Sequence, residues 1–244
     1  ISQLELLAYH DGNRHDLSIE ITERLVFGSY PEVVSTKNTG EKKDILGEIV
    51  GSYLLKDILE LDRIRNTKIL SDLIRLVALQ VGNEVSLSEL ATILGIDRKT
   101  VARYLDLLEK SFILYNLRGY SRNLRKEVTK KSKYYFYDTG VRNAVISNFN
   151  DLSHRDDAGA LWENFMVIER LKTRSYKNIP ANDHFWRTWD QNEIDFVEER
   201  DGKLFGYEFK WKNLKAKEPK GWRETYPEAS YEVITPENYL KILE

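Results

Sequence analysis

Apolar residues recur at helical spacing through the first quarter of the chain. Residues 19–27 and 44–59 carry apolar side chains at offsets of three and four, and the Gly and Pro within residues 28–32 interrupt the pattern. A further amphipathic stretch covers residues 69–79. The pattern therefore predicts a mainly helical region over residues 1–66 and another helix after it.

Two helical segments flank a tight turn at Gly95. Asp97 is a suitable N-cap for the second segment, residues 98–110, and the apolar run at residues 112–117 is a candidate strand. Two helices joined by a short turn and followed by a strand are typical of a winged helix. We predict a winged helix-turn-helix over residues 67–140.

Alternation of polar and apolar residues replaces the helical pattern toward the C-terminus. Two alternating runs flank Asp201-Gly202, a dipeptide that favours a tight hairpin. Asp195 lies in the first run, and Glu208 and Lys210 lie in the second, two positions apart and hence on one face. The hairpin is expected to place these three polar side chains on one patch of surface.

These three side chains suit phosphate chemistry. The carboxylate oxygens of Asp195 and Glu208 are ligands that Mg²⁺ prefers, and Lys210 could orient or deprotonate an attacking water. Upstream, an apolar helical pattern over residues 160–171 carries Glu163 near its start. The order of a helix with Glu, a strand with Asp and then Glu-x-Lys resembles that of the PD-(D/E)xK nuclease-like superfamily.

The resemblance implies a restriction-endonuclease-like αβ domain over residues 160–244. The implied catalytic residues are Glu163, Asp195, Glu208 and Lys210. Asp195 and Glu208 would hold Mg²⁺, and Ile194 departs from the family pattern, which has Pro before the Asp. Two alternatives stay open: a solvated Glu–Lys pair on an exposed strand, and a related fold that serves as a binding module without catalysis.

Segments near the N-terminus resemble a region of a family of prokaryotic AAA-type ATPases. They are Phe27–Val34 and Tyr53–Ile58, and Ile1–Leu6 resembles the segment that leaves the ATPase core. Members join that core to a winged helix and to a C-terminal domain called DUF4143. The resemblance implies a multidomain chain of the α+β or α/β class, with a helical region at 1–66, a winged helix-turn-helix at 67–140, a linker at 141–159 and a nuclease-like domain at 160–244.

ATP enters this interpretation only through an N-terminal domain outside the chain. No Gly-x-x-x-x-Gly-Lys-Ser/Thr motif occurs in the sequence, so the chain alone is not expected to hydrolyse ATP. The chain starts at Ile1 and its single methionine is Met166. We therefore expect it to be a piece of a longer protein.

The composition is that of an ordinary globular protein, with 41% hydrophobic and 31% charged residues and a net charge of −2. No cysteine is present, which excludes disulfides, thiol nucleophiles and cysteine metal ligands. No apolar run reaches the length of a membrane span and no signal peptide is recognisable, so we expect a cytoplasmic protein without membrane contact. Because the net charge is near zero, nucleic-acid binding would depend on local patches.

Two local basic patches are candidates for DNA contact. One lies at the start of the second helix of the helix-turn-helix, and the other lies in the basic stretch 118–133. The candidate nucleic-acid-binding residues are Arg98, Lys99, Thr100, Arg103, Arg122, Arg125 and Lys126. Against this, a winged helix can pack on protein, and a basic loop can simply be solvated.

Three functions of different classes follow. The leading interpretation is a nucleic-acid-interacting or regulatory arm of an AAA-type ATPase. The alternatives are a Mg²⁺-dependent nuclease that cleaves phosphodiesters, and a module that binds a protein partner or forms an oligomer. Clustering of Asp195, Glu208 and Lys210 around one water-sized site would favour the enzyme, whereas splayed side chains or a filled site would favour the binding arm.

Overall fold

The computed structural model describes most of the chain as an α+β structure with a single mixed sheet. The described residues are 1–9, 14–54, 67–120, 132–188, 190, 192–212 and 216–243. Within these ranges, no helix combines the length and the apolar character that crossing a membrane would require.

Eleven α-helices occur in the described residues. In chain order they are α1 Gln3–Tyr9, α2 Arg14–Phe27, α3 Pro31–Ser35, α4 Thr39–Glu48, α5 Thr67–Leu79, α6 Leu87–Leu94, α7 Arg98–Lys110, α8 Thr139–Val145, α9 Ala158–Lys177, α10 Lys220–Thr225 and α11 Leu240–Leu243. A π-helix, Ile49–Leu54, continues α4. The mainly helical character predicted for residues 1–66 is confirmed for their described part, and residues 55–66 lie outside it.

Seven strands form one sheet in the described part of the chain. They are β1 Glu84–Val85, β2 Leu114–Gly119, β3 Ser132–Phe136, β4 Asn182–Arg187, β5 Glu193–Arg200, β6 Lys203–Phe209 and β7 Ser230–Ile234. Their order across the sheet is β1-β3-β2-β4-β5-β6-β7. The β2–β4 and β6–β7 pairs are parallel, and the other neighbours are antiparallel.

Local capping explains where α6 and α7 begin. The Ser86 side chain accepts a hydrogen bond from the Glu89 amide at the start of α6, and Gly95 ends that helix with a φ of 65°. The Asp97 side chain then accepts from the Thr100 amide at 3.0 Å and caps α7. The two helices and the turn between them therefore form at the residues from which they were predicted.

The β5–β6 hairpin also forms as predicted. Arg200 pairs with Lys203, and only Asp201 and Gly202 lie between them, with φ values of 49° and 75°. Two consecutive residues with positive φ are what a two-residue hairpin turn of the right twist requires, and Asp-Gly tolerates them well. This turn sets the register that brings the predicted site residues together.

A short parallel pairing joins the two halves of the sheet. Arg118 and Gly119 of β2 lie opposite His184 and Phe185 of β4. Leu117 of β2 and Tyr135 of β3 belong to the same buried cluster as Phe185 of β4 and Phe196 of β5. The segments predicted as a winged helix and as a nuclease-like domain therefore share a sheet and a core, which the sequence pattern did not indicate.

Asparagine side chains fix the structure of two further segments. The predicted linker, residues 141–159, holds most of α8, and the buried Asn143 side chain donates to the carbonyls of Leu25 and Val26 at 3.0 and 2.8 Å. The final helix begins at Leu240. In the turn before it, the Asn238 side chain bonds back to the end of β7. It accepts from the Thr235 amide and donates to the Val233 carbonyl.

Candidate functional site

The hairpin places Asp195, Glu208 and Lys210 together at one end of the β5–β6 pair. The register sets Phe196 opposite Tyr207, one step from Asp195 and Glu208. The Phe209 amide donates to Asp195 Oδ2 at 2.8 Å, and Lys210 Nζ lies 2.6 Å from Glu208 Oε1. The three residues therefore lie together as alternation predicted, but Asp195 is buried rather than on the surface.

Glu163 reaches the same place from α9, and side chains of β3 hold it there. The Tyr135 hydroxyl donates to Glu163 Oε1 at 2.6 Å, and Lys133 Nζ lies 3.3 Å from the same oxygen. Lys133 also forms an ion pair with Glu193 of β5. Only 2% of the Lys133 side chain is exposed. A buried lysine thus lies between the two glutamates.

We call this group the carboxylate–lysine cluster. Its members are Glu163, Glu193, Asp195, Glu208, Lys133 and Lys210. Sequence analysis missed Lys133, Glu193 and the supporting Tyr135. A signal was present, because Lys133 and Tyr135 are two positions apart on a strand and share a face. The alternation along β3 does not indicate that this face packs against α9.

Burial and neighbouring charges in the cluster oppose ionisation of Asp195 and Glu208. Burial, with the charges of Glu163 and Glu208, raises the pKa of Asp195 well above its ordinary value. Burial also raises the pKa of Glu208, although the Lys210 ammonium opposes that shift. Burial disfavours the charged form of Lys133, but Glu163, Asp195 and Glu193 outweigh it and raise the pKa of the ammonium. The raised pKa values of Asp195 and Glu208 favour retention of their protons, which relieves part of the excess negative charge in the cluster.

Protein groups already engage both predicted metal ligands, Asp195 and Glu208. Among the described residues, no group of three or more His, Asp or Glu side chains is placed to hold a metal ion. Asp195 accepts from the Phe209 amide, and Glu208 pairs with Lys210. One buried carboxylate oxygen, Glu208 Oε2, has no hydrogen-bond partner. Metal binding by Asp195 and Glu208 stays a prediction.

A second candidate surface lies on α7. Arg98, Lys99 and Arg103 are exposed near the start of the helix. Thr100 is engaged in the cap, since its hydroxyl donates to Asp97 Oδ2 at 2.6 Å. We call Arg98, Lys99 and Arg103 the basic face of α7. The other predicted nucleic-acid-binding residues, Arg122, Arg125 and Lys126, lie outside the described residues.

The opposite face of α7 is fixed in the core. Val101, Leu105 and Leu108 are buried, and their spacing of four and three residues places them on one side of the helix. They pack in one cluster with residues of α5 and α6. The helix also carries two engaged acidic residues. Asp97 caps its start, and Asp106 pairs with Lys110 at 2.7 Å. The basic face is therefore a rigidly held surface that covers about the first half of the helix.

Comparison with known proteins gives two family matches. Residues 19–152 match the model of a domain of unknown function, DUF8612, and residues 158–242 match that of another domain of unknown function, DUF4143. The DUF8612 match covers more than half of the 244 residues, so the chain belongs to that family.

Curated relatives cover long parts of the chain. An uncharacterized protein of Haemophilus influenzae is 30% identical over 70% of this chain, and one of Mycobacterium tuberculosis is 32% identical over 53%. One of Methanocaldococcus jannaschii is 25% identical over 81%. The chain spans only 41%, 29% and 41% of the length of these relatives, respectively. No solved structure matches the chain significantly.

Proposed function

We propose that this member of the DUF8612 family is a nucleic-acid-contacting arm of an AAA-type ATPase, in which α5–α7 with β2 and β3 act as a winged helix. The observation that carries the proposal is the basic face of α7, held exposed by a buried opposite face. In a helix-turn-helix, the N-terminal part of the second helix is the part that reaches the DNA. The resemblance of Phe27–Val34 to the ATPase family supports the second half of the proposal.

The chemistry of α7 favours phosphate contact. Arg and Lys side chains neutralise phosphates and release counterions, a term that does not depend on base sequence. Backbone amides at a helix N-terminus add a partial positive charge in the same direction. Asp97 offsets part of this charge by capping the helix. We therefore expect binding that is modest in affinity and strongly dependent on salt.

Fluorescence anisotropy with a labelled DNA duplex of mixed sequence tests the proposal. The variant is Arg98→Ala/Lys99→Ala, and the matched control is Lys110→Ala, an exposed lysine at the other end of the same helix. We expect the double variant to lose about tenfold in affinity and to lower the slope of log K against log salt by about two, because each phosphate contact contributes roughly 0.9. The control should bind like the wild type.

The opposite result would remove the proposal. Equal binding by the double variant and the wild type would show that α7 does not meet DNA. Absence of duplex binding by the wild type at low salt would favour a protein partner for the same surface. Circular dichroism of each variant establishes that the comparison is made between folded proteins.

A second candidate function is a Mg²⁺-dependent nuclease. The observation in its favour is the joint placement of Asp195, Glu208 and Lys210, with the buried Glu208 Oε2 left without a partner. Cleavage of single- and double-stranded DNA and RNA in Mg²⁺ or Mn²⁺, with Asp195→Asn as the comparison, is the test. Activity that the Asp195→Asn variant retains would come from a contaminant rather than from this site.

A further inference from the structure

Lys133 holds an unusual position for a lysine. Its ammonium group is buried, it lies 3.3 Å from Glu163 Oε1, and it forms a second ion pair with Glu193. Lysine is almost never fully buried without a charged partner, and here it has two. The charge of Asp195 also acts on the ammonium. The lysine is therefore built into the acidic group.

The cation and the carboxylates come from different parts of the chain. Lys133 lies on β3, within the DUF8612 match, whereas Glu163, Glu193 and Asp195 lie within the DUF4143 match. Asn164, the neighbour of Glu163 on α9, fixes the same contact by bonding the Phe136 amide and carbonyl at 2.8 and 2.7 Å. Strand β3 is thus held firmly against α9, and the ammonium is delivered to a defined place.

We propose that the Lys133 ammonium is the resident cation of the carboxylate–lysine cluster and stands where a divalent metal ion would otherwise be bound. The proposal explains why the described carboxylates do not form a metal-binding group although Glu163, Asp195 and Glu208 come close together. One positive charge among hard oxygen donors lowers their affinity for Mg²⁺ or Mn²⁺ by direct repulsion. This proposal is incompatible with the second candidate function, the Mg²⁺-dependent nuclease. It is independent of the proposed DNA contact, because the basic face of α7 contains none of these residues.

The test is Mn²⁺ binding, measured by calorimetry and by the electron paramagnetic resonance of free Mn²⁺. The variants of the full chain are Lys133→Met, which removes the charge and is shorter by one atom, and Lys133→Arg, which keeps the charge. We expect no saturable binding by the wild type or by Lys133→Arg at millimolar Mn²⁺. Lys133→Met should bind at least about tenfold more tightly than the wild type.

Several outcomes would overturn the proposal. One is wild-type Mn²⁺ binding in the micromolar range that Asp195→Asn abolishes, because Lys133 would then not keep the ion out. Another is a folded Lys133→Met variant with unchanged Mn²⁺ affinity. If Lys133→Met does not fold without metal, refolding in Mn²⁺ should restore the wild-type circular dichroism spectrum. A variant that folds neither without Mn²⁺ nor with it counts against the proposal.

Discussion

At Asp195, the folded protein and the free carboxyl group have different preferences for a proton. Burial beside Glu163 and Glu208 raises the pKa in the folded state, while the unfolded chain has the ordinary value. The folded state therefore binds more protons between these two pKa values. The free energy of unfolding contributed by this residue must fall as the pH rises through that interval.

Asp195→Asn should consequently stabilise the protein at pH 8. The amide oxygen can still accept from the Phe209 amide, and the repulsion with Glu163 and Glu208 is removed. We expect the free energy of unfolding to increase by about 1 kcal/mol at pH 8, a size typical of a single stabilising substitution, with a smaller increase at pH 5. Urea denaturation in the presence of a chelator measures both values.

The control for this change is Asp156→Asn at an exposed aspartate, which should alter stability by less than about 0.5 kcal/mol at either pH. A loss of stability in Asp195→Asn at pH 8 would show that the Asp195 carboxylate is stabilised by its lysine neighbours more than it is opposed by the acids. That result would also weaken the charge balance inferred for the carboxylate–lysine cluster.

At the scale of elements, the junction of α2 and α8 depends on a glycine that lies in close contact with backbone. A Cβ on Gly140 in α8 would lie 2.1 Å from the Phe27 carbonyl oxygen. Next to it, Asp138 caps α8 through the Val141 amide and also accepts from the Ser29 amide at 2.6 Å. The two helices therefore fit only with a hydrogen atom at position 140.

Gly140→Ala should destabilise the protein by about 3 kcal/mol, because the clash is with backbone and neither helix can move without disturbing the core. The matched control is Gly47→Ala in α4, where an added Cβ meets nothing within 4 Å. That change should be neutral or stabilising by up to about 1 kcal/mol, the helix preference of Ala over Gly. Urea denaturation measures the free energy of unfolding of both variants. Equal values for Gly140→Ala and Gly47→Ala would refute the close contact at Gly140.

Local signals explain which elements were predictable. The α6–α7 turn and the Asp201-Gly202 hairpin depend on residues close in sequence, and both were predicted at the right positions. Asp195, Glu208 and Lys210 came together because one hairpin carries them all. Lys133 was missed because its partners, Glu163 and Glu193, are 30 and 60 residues away on other elements, and no periodicity in β3 indicates them.

At the scale of the whole molecule, the β2–β4 pairing has the largest consequence. The sequence pattern favours separate modules, since it changes from helical to alternating spacing between them. The pairing between strands that are distant in the chain depends on shape and packing, which pattern alone does not encode. The shared core, with Leu117 and Tyr135 against Phe185 and Phe196, indicates that the two family-matched parts stabilise each other.

We therefore predict a single cooperative unfolding transition for the full chain. The chain provides two spatially separate probes: all five tryptophans lie between Trp162 and Trp222, whereas much of the helix lies before residue 146. Tryptophan fluorescence and far-UV circular dichroism should give coincident urea curves, with equal midpoints and equal slopes, because the shared core breaks in one step. A fluorescence transition displaced from the circular dichroism transition would show that the DUF4143 part unfolds on its own. The β2–β4 pairing and the Lys133 contacts would then contribute little to holding the two parts together.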